Sequence, residues 1–271
     1  MENGSRTNLS GRVGLVTGGA SGIGYSIADR LAQLGASVLV FDLDGEKAQA
    51  AAQEMQDRHG GKAVGLQGSV TSVGDVAAVL DCAEQELGPV DILVNNAGFA
   101  TFSPIVDMPE EDWDSVMDVL AKGTFLCTKD FARRVIGRGG GPADVVNISS
   151  LNYTAATDGL AHYCAGKAAV SQFTKVAAAE LGRHGIRVNA IAPGLIRTPL
   201  TETSLTTGRM GEEFLKRTPL GRVGEPEDVA KVAVLLCSSE TAWITGETIS
   251  VDGGTHIRGL HSYWDTLQED Q

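Results

Sequence analysis

The 271-residue chain is poor in several things, and each scarcity removes a class of protein. Basic residues are few: 22 Lys and Arg stand against 34 Asp and Glu, a formal net charge of −12. Nucleic acid, whose phosphates are held by basic surface, is therefore not an expected partner, and neither is an anionic membrane surface. No apolar run approaches the roughly 20 residues that a membrane-spanning helix needs. The opening stretch MENGSRTNLSG is polar and lacks the apolar core of a secretion signal. Cysteine is limited to Cys82, Cys127, Cys164 and Cys237, with no CxxC spacing. These read as reduced thiols of a cytoplasmic protein rather than a disulfide frame or a zinc site. The five histidines form no HExxH or similar cluster, so no metal site is expected.

What the chain has is a regular alternation. Short apolar runs (RVGLVTGG, SVLVFD, KAVGLQGSV, DILVNNAG, ADVVNISS, IRVNAIAP, ETISVDGG) read as seven strands. Between them lie helical patterns such as IGYSIADRLAQLG, where Ile23, Ile27, Leu31 and Leu34 recur at helical spacing and Gly35 stops the run. One long helix is expected from Glu111 to Ile136. The segment GLIRTPLTETSLTTGRMG reads as an irregular lid, and PEDVAKVAVLLCSS as a helix with Pro226 in its first turn. Near-continuous apolar strands alternating with helices imply a parallel sheet covered on both faces. The expected fold is one doubly wound α/β domain over residues 11–257. Residues 1–10 are expected as a flexible tail. Residues 258–271 form a second tail, whose His261, Tyr263 and Trp264 could dock on a neighbouring subunit or simply fray.

The first strand-to-helix turn reads TGGASGIG, Thr17 to Gly24. Glycines there let a pyrophosphate approach the backbone, and the helix N-terminus offers free N–H groups; the bland alternative is a tight turn. Asp42 closes the second strand at the spacing of a carboxylate that binds a ribose 2′-hydroxyl. It would repel a 2′-phosphate, which favours NAD over NADP. Arg12 and Lys47 are the cations that could reverse that preference.

Together these motifs resemble the short-chain dehydrogenase/reductase superfamily, over about Gly11 to Gly254. The match rests on TGGASGIG, the NNAG of Asn95–Gly98, the NISS serine, Tyr163-Cys164-Ala165-Gly166-Lys167, the Pro193-Gly194 turn and VDGG at Val251–Gly254. The resemblance implies a seven-stranded Rossmann-type fold, a homo-oligomer (dimer or tetramer) and hydride exchange between nicotinamide and an alcohol. It places the cofactor on Gly18, Ser21, Gly22, Ile23, Gly24, Asp42, Ser69, Val70, Asn96, Ala97, Gly98, Tyr163, Lys167, Pro193, Gly194, Ile196 and Thr198. The family's active serine precedes its tyrosine by thirteen positions, which selects Ser150 over Ser149 for Tyr163. Tyr153 lacks a lysine four residues on, whereas Tyr163 has Lys167 on the same helix face. Tyr163 is thus the expected acid or base, Ser150 its partner at the substrate oxygen, and Lys167 the cation that tunes the phenol.

Two positions depart from the family pattern. Leu120 stands where an asparagine usually continues a proton relay from the lysine, and Ser69 replaces the aspartate that contacts adenine. Ser150, Asn152, Tyr153 and Tyr163 are the expected substrate contacts. The substrate-side segments carry Phe99, Phe102, Tyr153, Leu160, Leu200, Leu205 and Met210, which suits an apolar or aromatic secondary alcohol or ketone. Arg197, Arg209 and Arg217 leave room for an acidic tail on the substrate. An NADPH-dependent ketoacyl-type reductase and a non-catalytic dinucleotide sensor are the alternatives.

Overall fold

The computed structural model describes residues 7–199, 201–202 and 208–258. Leu200, Leu205 and the aromatic tail residues lie outside them. The elements run β1 (Val13–Thr17), α1 (Gly22–Gln33), β2 (Ser37–Asp42), α2 (Gly45–His59), β3 (Ala63–Gln67), α3 (Val73–Glu86), β4 (Ile92–Asn95) and α4 (Glu110–Met117). They continue with α5 (Thr124–Gly137), β5 (Ala143–Ile148), α6 (Ala161–Leu181), β6 (Ile186–Pro193), α7 (Gly208–Arg217), α8 (Pro226–Leu236) and β7 (Thr248–Val251). All seven strands pair in parallel, in the order β3-β2-β1-β4-β5-β6-β7.

Strand alternation divides the core. Val16, Val38, Val40, Ile92 and Val94 face α1, α2 and α8, whereas Leu15, Leu39, Phe41 and Leu93 face α3, α5 and α6. Local chemistry starts and stops the helices as the sequence suggests. Asp44 caps α2 by accepting from the Lys47 amide, and Ser72 caps α3 by accepting from Asp75. Gly60 ends α2 at φ 71°, a left-handed conformation open to glycine. Pro226 opens α8 behind a reciprocal Glu225–Asp228 capping box.

Three expectations need correction. The single helix from Glu111 to Ile136 is two helices joined by a π-helical segment, Asp118–Gly123. A side-chain carbon on Gly123 would lie 2.7 Å from Val70 Cγ2, so only glycine lets this stretch pass so close to the end of β3. The irregular lid runs into a helix at its end, α7, whose Phe214 is buried. Leu9 is also buried and donates its amide to Leu34 O at 2.9 Å, so the packed chain begins ahead of Gly11.

An ionic cluster sets the starting edge of the sheet. Arg12, just before β1, binds Asp91 just before β4 at 2.7 Å and Asp144 of β5 at 3.0 Å. Arg187 of β6 holds the other Asp144 oxygen at 2.7 Å and donates to the Leu236, Ser238 and Thr241 carbonyls. Burial raises the Asp144 and Asp91 carboxyls above the usual range in spite of the arginines. The cluster is thus costly to desolvate and costlier to break. Asp144→Ala, which takes the carboxylate from the part-buried Arg187 and leaves Arg12 with Asp91 alone, should destabilise the fold by about 3–5 kcal/mol in denaturant unfolding. A loss under about 1 kcal/mol, the range of an exposed ion pair, would show that the cluster is dispensable.

Candidate active site

Strand order reverses direction beside β1, and a cleft of about 920 Å³ opens there at the carboxyl ends of the strands. The β1–α1 turn forms its floor. Gly18 and Gly22 adopt φ 59° and 55°, conformations glycine reaches without strain. Asn96 clamps the turn, its Nδ2 donating to Thr17 O at 3.1 Å and Gly18 O at 2.9 Å. Thr17 Oγ1 accepts in return from the Asn96 and Ala97 amides. A side-chain carbon on Gly18 would lie 2.9 Å from Ala97 Cα, so the two loops meet backbone to backbone. Gly24 does not line the cleft. It allows close packing, since a carbon there would lie 2.1 Å from Gly18 O. Ser21, Gly22 and Ile23 line the cleft at the start of α1, where no side chain caps the helix.

Asp42 lines the cleft at the end of β2. Its carboxylate accepts from the Ala20 amide at 3.1 Å and the Asp44 amide at 3.1 Å, which fixes its orientation. Neither cation suspected from the sequence answers it from the cleft. Arg12 is committed to the opposite edge of the sheet, and Lys47 pairs with Asp44 at 2.7 Å. Ser69 and Val70 also line the cleft. The Ser69 amide donates to Asp75, and the Ser69 and Thr71 hydroxyls bond at 2.8 Å. Asn96, Ala97, Gly98, Pro193, Gly194, Ile196 and Thr198 complete this side. Glycine backbone at a helix N-terminus with a carboxylate one strand away fits a dinucleotide.

Ser150, Tyr163 and Lys167 meet on the facing wall. Ser150 follows β5, and the other two lie on one face of α6. Ser150 stands close enough to act on the phenol's titration, and Lys167 Nζ lies 5.5 Å from the centre of the Tyr163 ring. Lys167 is buried and donates to Ile148 O at 2.7 Å. Burial lowers its pKa to about 8. Burial raises the Tyr163 phenol above its ordinary value, opposed by Ser150. Ser149 points elsewhere, to Lys167 O at 3.1 Å and Ser171 Oγ at 2.8 Å.

A family model described as enoyl-(acyl carrier protein) reductase matches residues 18–256. The chain is 40% identical over 249 residues to a 3-oxoacyl-[acyl-carrier-protein] reductase of Thermotoga maritima, covering 92% of this chain and 99% of that one. It is 38% identical to a D-threitol dehydrogenase of Mycolicibacterium smegmatis, covering 92% and 95%. The structure of a short-chain type dehydrogenase/reductase from Mycobacterium ulcerans superposes with a TM-score of 0.92 at 33% identity, covering 97% and 96%. The chain belongs to the short-chain dehydrogenase/reductase superfamily. Membership makes it an oxidoreductase of the type that uses a nicotinamide dinucleotide.

Within this superfamily fold, Leu120 is fully buried in the π-helical segment. Side-chain carbons placed on Gly98 and Gly166 would each lie 2.8 Å from its methyl carbons, so it fills the gap between the β4 loop and α6. The same carbon on Gly98 would lie 3.6 Å from Lys167 Nζ, which places the leucine beside the ammonium's surroundings. Its carbonyl accepts from the Thr124 hydroxyl at 2.7 Å. Where a relay residue would be polar, this chain has hydrocarbon, and the lysine turns to the Ile148 carbonyl.

Of the expected substrate contacts, Tyr153 falls outside the cleft and Asn152 lies within it. Tyr153 lies in a short 3-10 turn after Ser150, with its amide on Ser150 O. Asn152 lines the cleft, but its amide is spent on Ala155 O and Thr157 Oγ1 while its oxygen accepts from Ser150 Oγ at 3.2 Å. It therefore orients Ser150. Phe214, on α7 beyond the lid segment, and Thr101, which follows NNAG without a motif of its own, also line the cleft and carry no sequence signal.

Lys167 yields two predictions. Its depressed pKa means that the unfolded chain holds the proton more tightly between about pH 8 and 10.5, so stability rises with pH across that window. Below it the buried charge costs about 3 kcal/mol. Lys167→Met should accordingly raise the unfolding midpoint at pH 7, with the gain shrinking as pH climbs above 8; a variant less stable at pH 7 would contradict this. Leu120→Asn should keep the fold and raise the Lys167 pKa, read by 13C-lysine NMR. Turnover should stay within about 10-fold, or about 1.4 kcal/mol. Complete loss of activity in a well-folded Leu120→Asn variant would be inconsistent with a minor role.

Proposed function

We propose that the chain is an NAD-dependent oxidoreductase that moves a hydride between nicotinamide and a secondary alcohol or ketone with an apolar or aromatic body. The observation that carries this is the meeting of Ser150, Tyr163 and Lys167 across the cleft from Asp42. Gly18, Ser21, Gly22 and Ile23 would hold the pyrophosphate, Asp42 the adenosine ribose, and Lys167 the nicotinamide ribose. When bound, the dinucleotide supplies the hydride site and, in its oxidised form, a positive charge.

The chain's own residues move the proton. Tyr163 Oη, kept protonated by burial, donates to the carbonyl oxygen during reduction. In oxidation it takes the alcohol proton, the Lys167 ammonium stabilising the phenolate. Ser150 binds the same oxygen and orients it by turning its single hydroxyl proton from Asn152 Oδ1 to the substrate.

The NAD preference is supported by the cleft's charge: among the described lining residues only Asp42 and Lys167 are charged. Phe99, Phe102, Leu151, Leu160, Met210 and Phe214 support an apolar substrate body. None of Arg197, Arg209 and Arg217 lines the cleft. A homo-oligomer belongs to this reading, since Phe125, Val176 and Trp243 present apolar surface to solvent in one copy. The identity with the Thermotoga reductase favours a second reading, an NADPH-dependent ketoacyl-type reductase.

Absorbance of reduced nicotinamide, followed with a panel of secondary alcohols, tests the first reading. The expected kcat/KM with NAD exceeds that with NADP by at least about 10-fold, or about 1.4 kcal/mol. Turnover only with NADP would overturn the role of Asp42, and cofactor binding without turnover would leave a sensor.

A further inference from the structure

The residue before Tyr163 is a histidine that the reaction above does not use. His162 has no exposed surface. Its Nδ1 accepts from the Tyr163 amide at 2.9 Å, and its Nε2 lies 2.8 Å from Thr101 Oγ1. An amide nitrogen can only donate, so Nδ1 must be unprotonated and the ring proton sits on Nε2. The ring therefore donates to the Thr101 hydroxyl and fills one of its lone pairs. Burial pushes His162 below the ordinary histidine range, against the raising influence of Asp112, which favours this neutral form.

Thr101 lines the cleft from the loop after β4, and its hydroxyl proton remains to be given. The same loop is held against the 157–160 turn, where the Ser103 amide donates to Gly159 O at 2.9 Å and Phe102 packs on Gly159. The substrate wall is apolar around it, and the Asn152 amide is already committed. We propose that His162 and Thr101 form a positioning and specificity pair, in which His162 locks the Thr101 hydroxyl as a hydrogen-bond donor to a second oxygen on the substrate, beside the oxygen that Ser150 and Tyr163 hold. The preferred substrates are then hydroxylated or keto-bearing secondary alcohols rather than simple ones. This rests on the hydride-transfer reading above.

The test compares 1-phenylethanol with 1-phenyl-1,2-ethanediol, which differ by one hydroxyl. Asparagine at position 162 can replace Nδ1 but not reach Thr101, whereas glutamine can replace Nε2. The wild type should favour the diol in kcat/KM by at least about 10-fold, since a site built to bond a hydroxyl discriminates against its absence. Thr101→Val and His162→Asn should abolish that preference, mainly through KM for the diol. Thr101→Ser and His162→Gln should restore it. Binding of both compounds to the enzyme loaded with NADH, followed by nicotinamide fluorescence, gives the same ratio without turnover. A well-folded protein that turns over neither alcohol would overturn the hydride-transfer reading, and the binding ratio would still decide the pair. A wild type without diol preference, or a preference unchanged in Thr101→Val and His162→Asn, would overturn the proposal.

Discussion

The candidate site depends on how α6 is strapped to the end of β5. Lys167 Nζ donates forward to Ile148 O, while Ser149 Oγ reaches back to Lys167 O and Ser171 Oγ. These bonds run between two elements whose relative position apolar packing alone would leave adjustable. They fix which turn of the helix stands opposite the serines, and so they bring Tyr163 to Ser150. The two adjacent serines divide the work: Ser149 holds the helix, and Ser150 faces the cleft. At the opposite edge of the sheet the Arg12–Asp91–Asp144–Arg187 cluster aligns the strand starts, so that their carboxyl ends arrive in register around the cleft.

The strap has an energetic cost, and the cost is tied to the chemistry. A lysine in this position loses its hydration and gains one carbonyl, with Leu120 closing the space beside it. Burial without a carboxylate partner disfavours the ammonium. An incompletely compensated cation is what a buried phenolate requires as a neighbour, so the site is built from two groups that are each unfavourable alone. The leucine sharpens this. It removes a polar neighbour and leaves the lysine to the backbone, in a helix that has to widen into a π turn to pass Val70.

Much of this was legible in the sequence, for physical reasons. Seven apolar runs separated by helical periodicity imply a parallel sheet, because only strands buried on both faces dispense with polar alternation. Gly18, Ser21, Gly22 and Ile23 of TGGASGIG, Asp42 and the Tyr163–Lys167 pair all fall in the cleft because each belongs to a local pattern fixed by backbone geometry or helix pitch. What was not legible depended on contacts between distant segments. The break at Asp118–Gly123 follows from Gly123 meeting Val70, which no helical pattern reveals. Helix α7 was hidden by the threonines before it and by Gly208 and Gly211 in its first turn. The amphipathic ring of Tyr153 fits a pocket wall and a surface loop equally well from sequence, and it is the 3-10 turn that carries it away from the cleft. His162 and Thr101 meet across sixty-one positions, beyond the reach of any motif.

The central claim is that Tyr163 moves the proton while the hydride passes directly between substrate and nicotinamide. Transfer of deuterium from a carbinol-labelled secondary alcohol to NAD, measured in single turnover for the wild type and Tyr163→Phe, tests it most directly. The account predicts label in the reduced cofactor of the wild type. It also predicts a rate lower by about 10²–10⁴-fold in the variant. Deuterium transfer by Tyr163→Phe at the wild-type rate would contradict it.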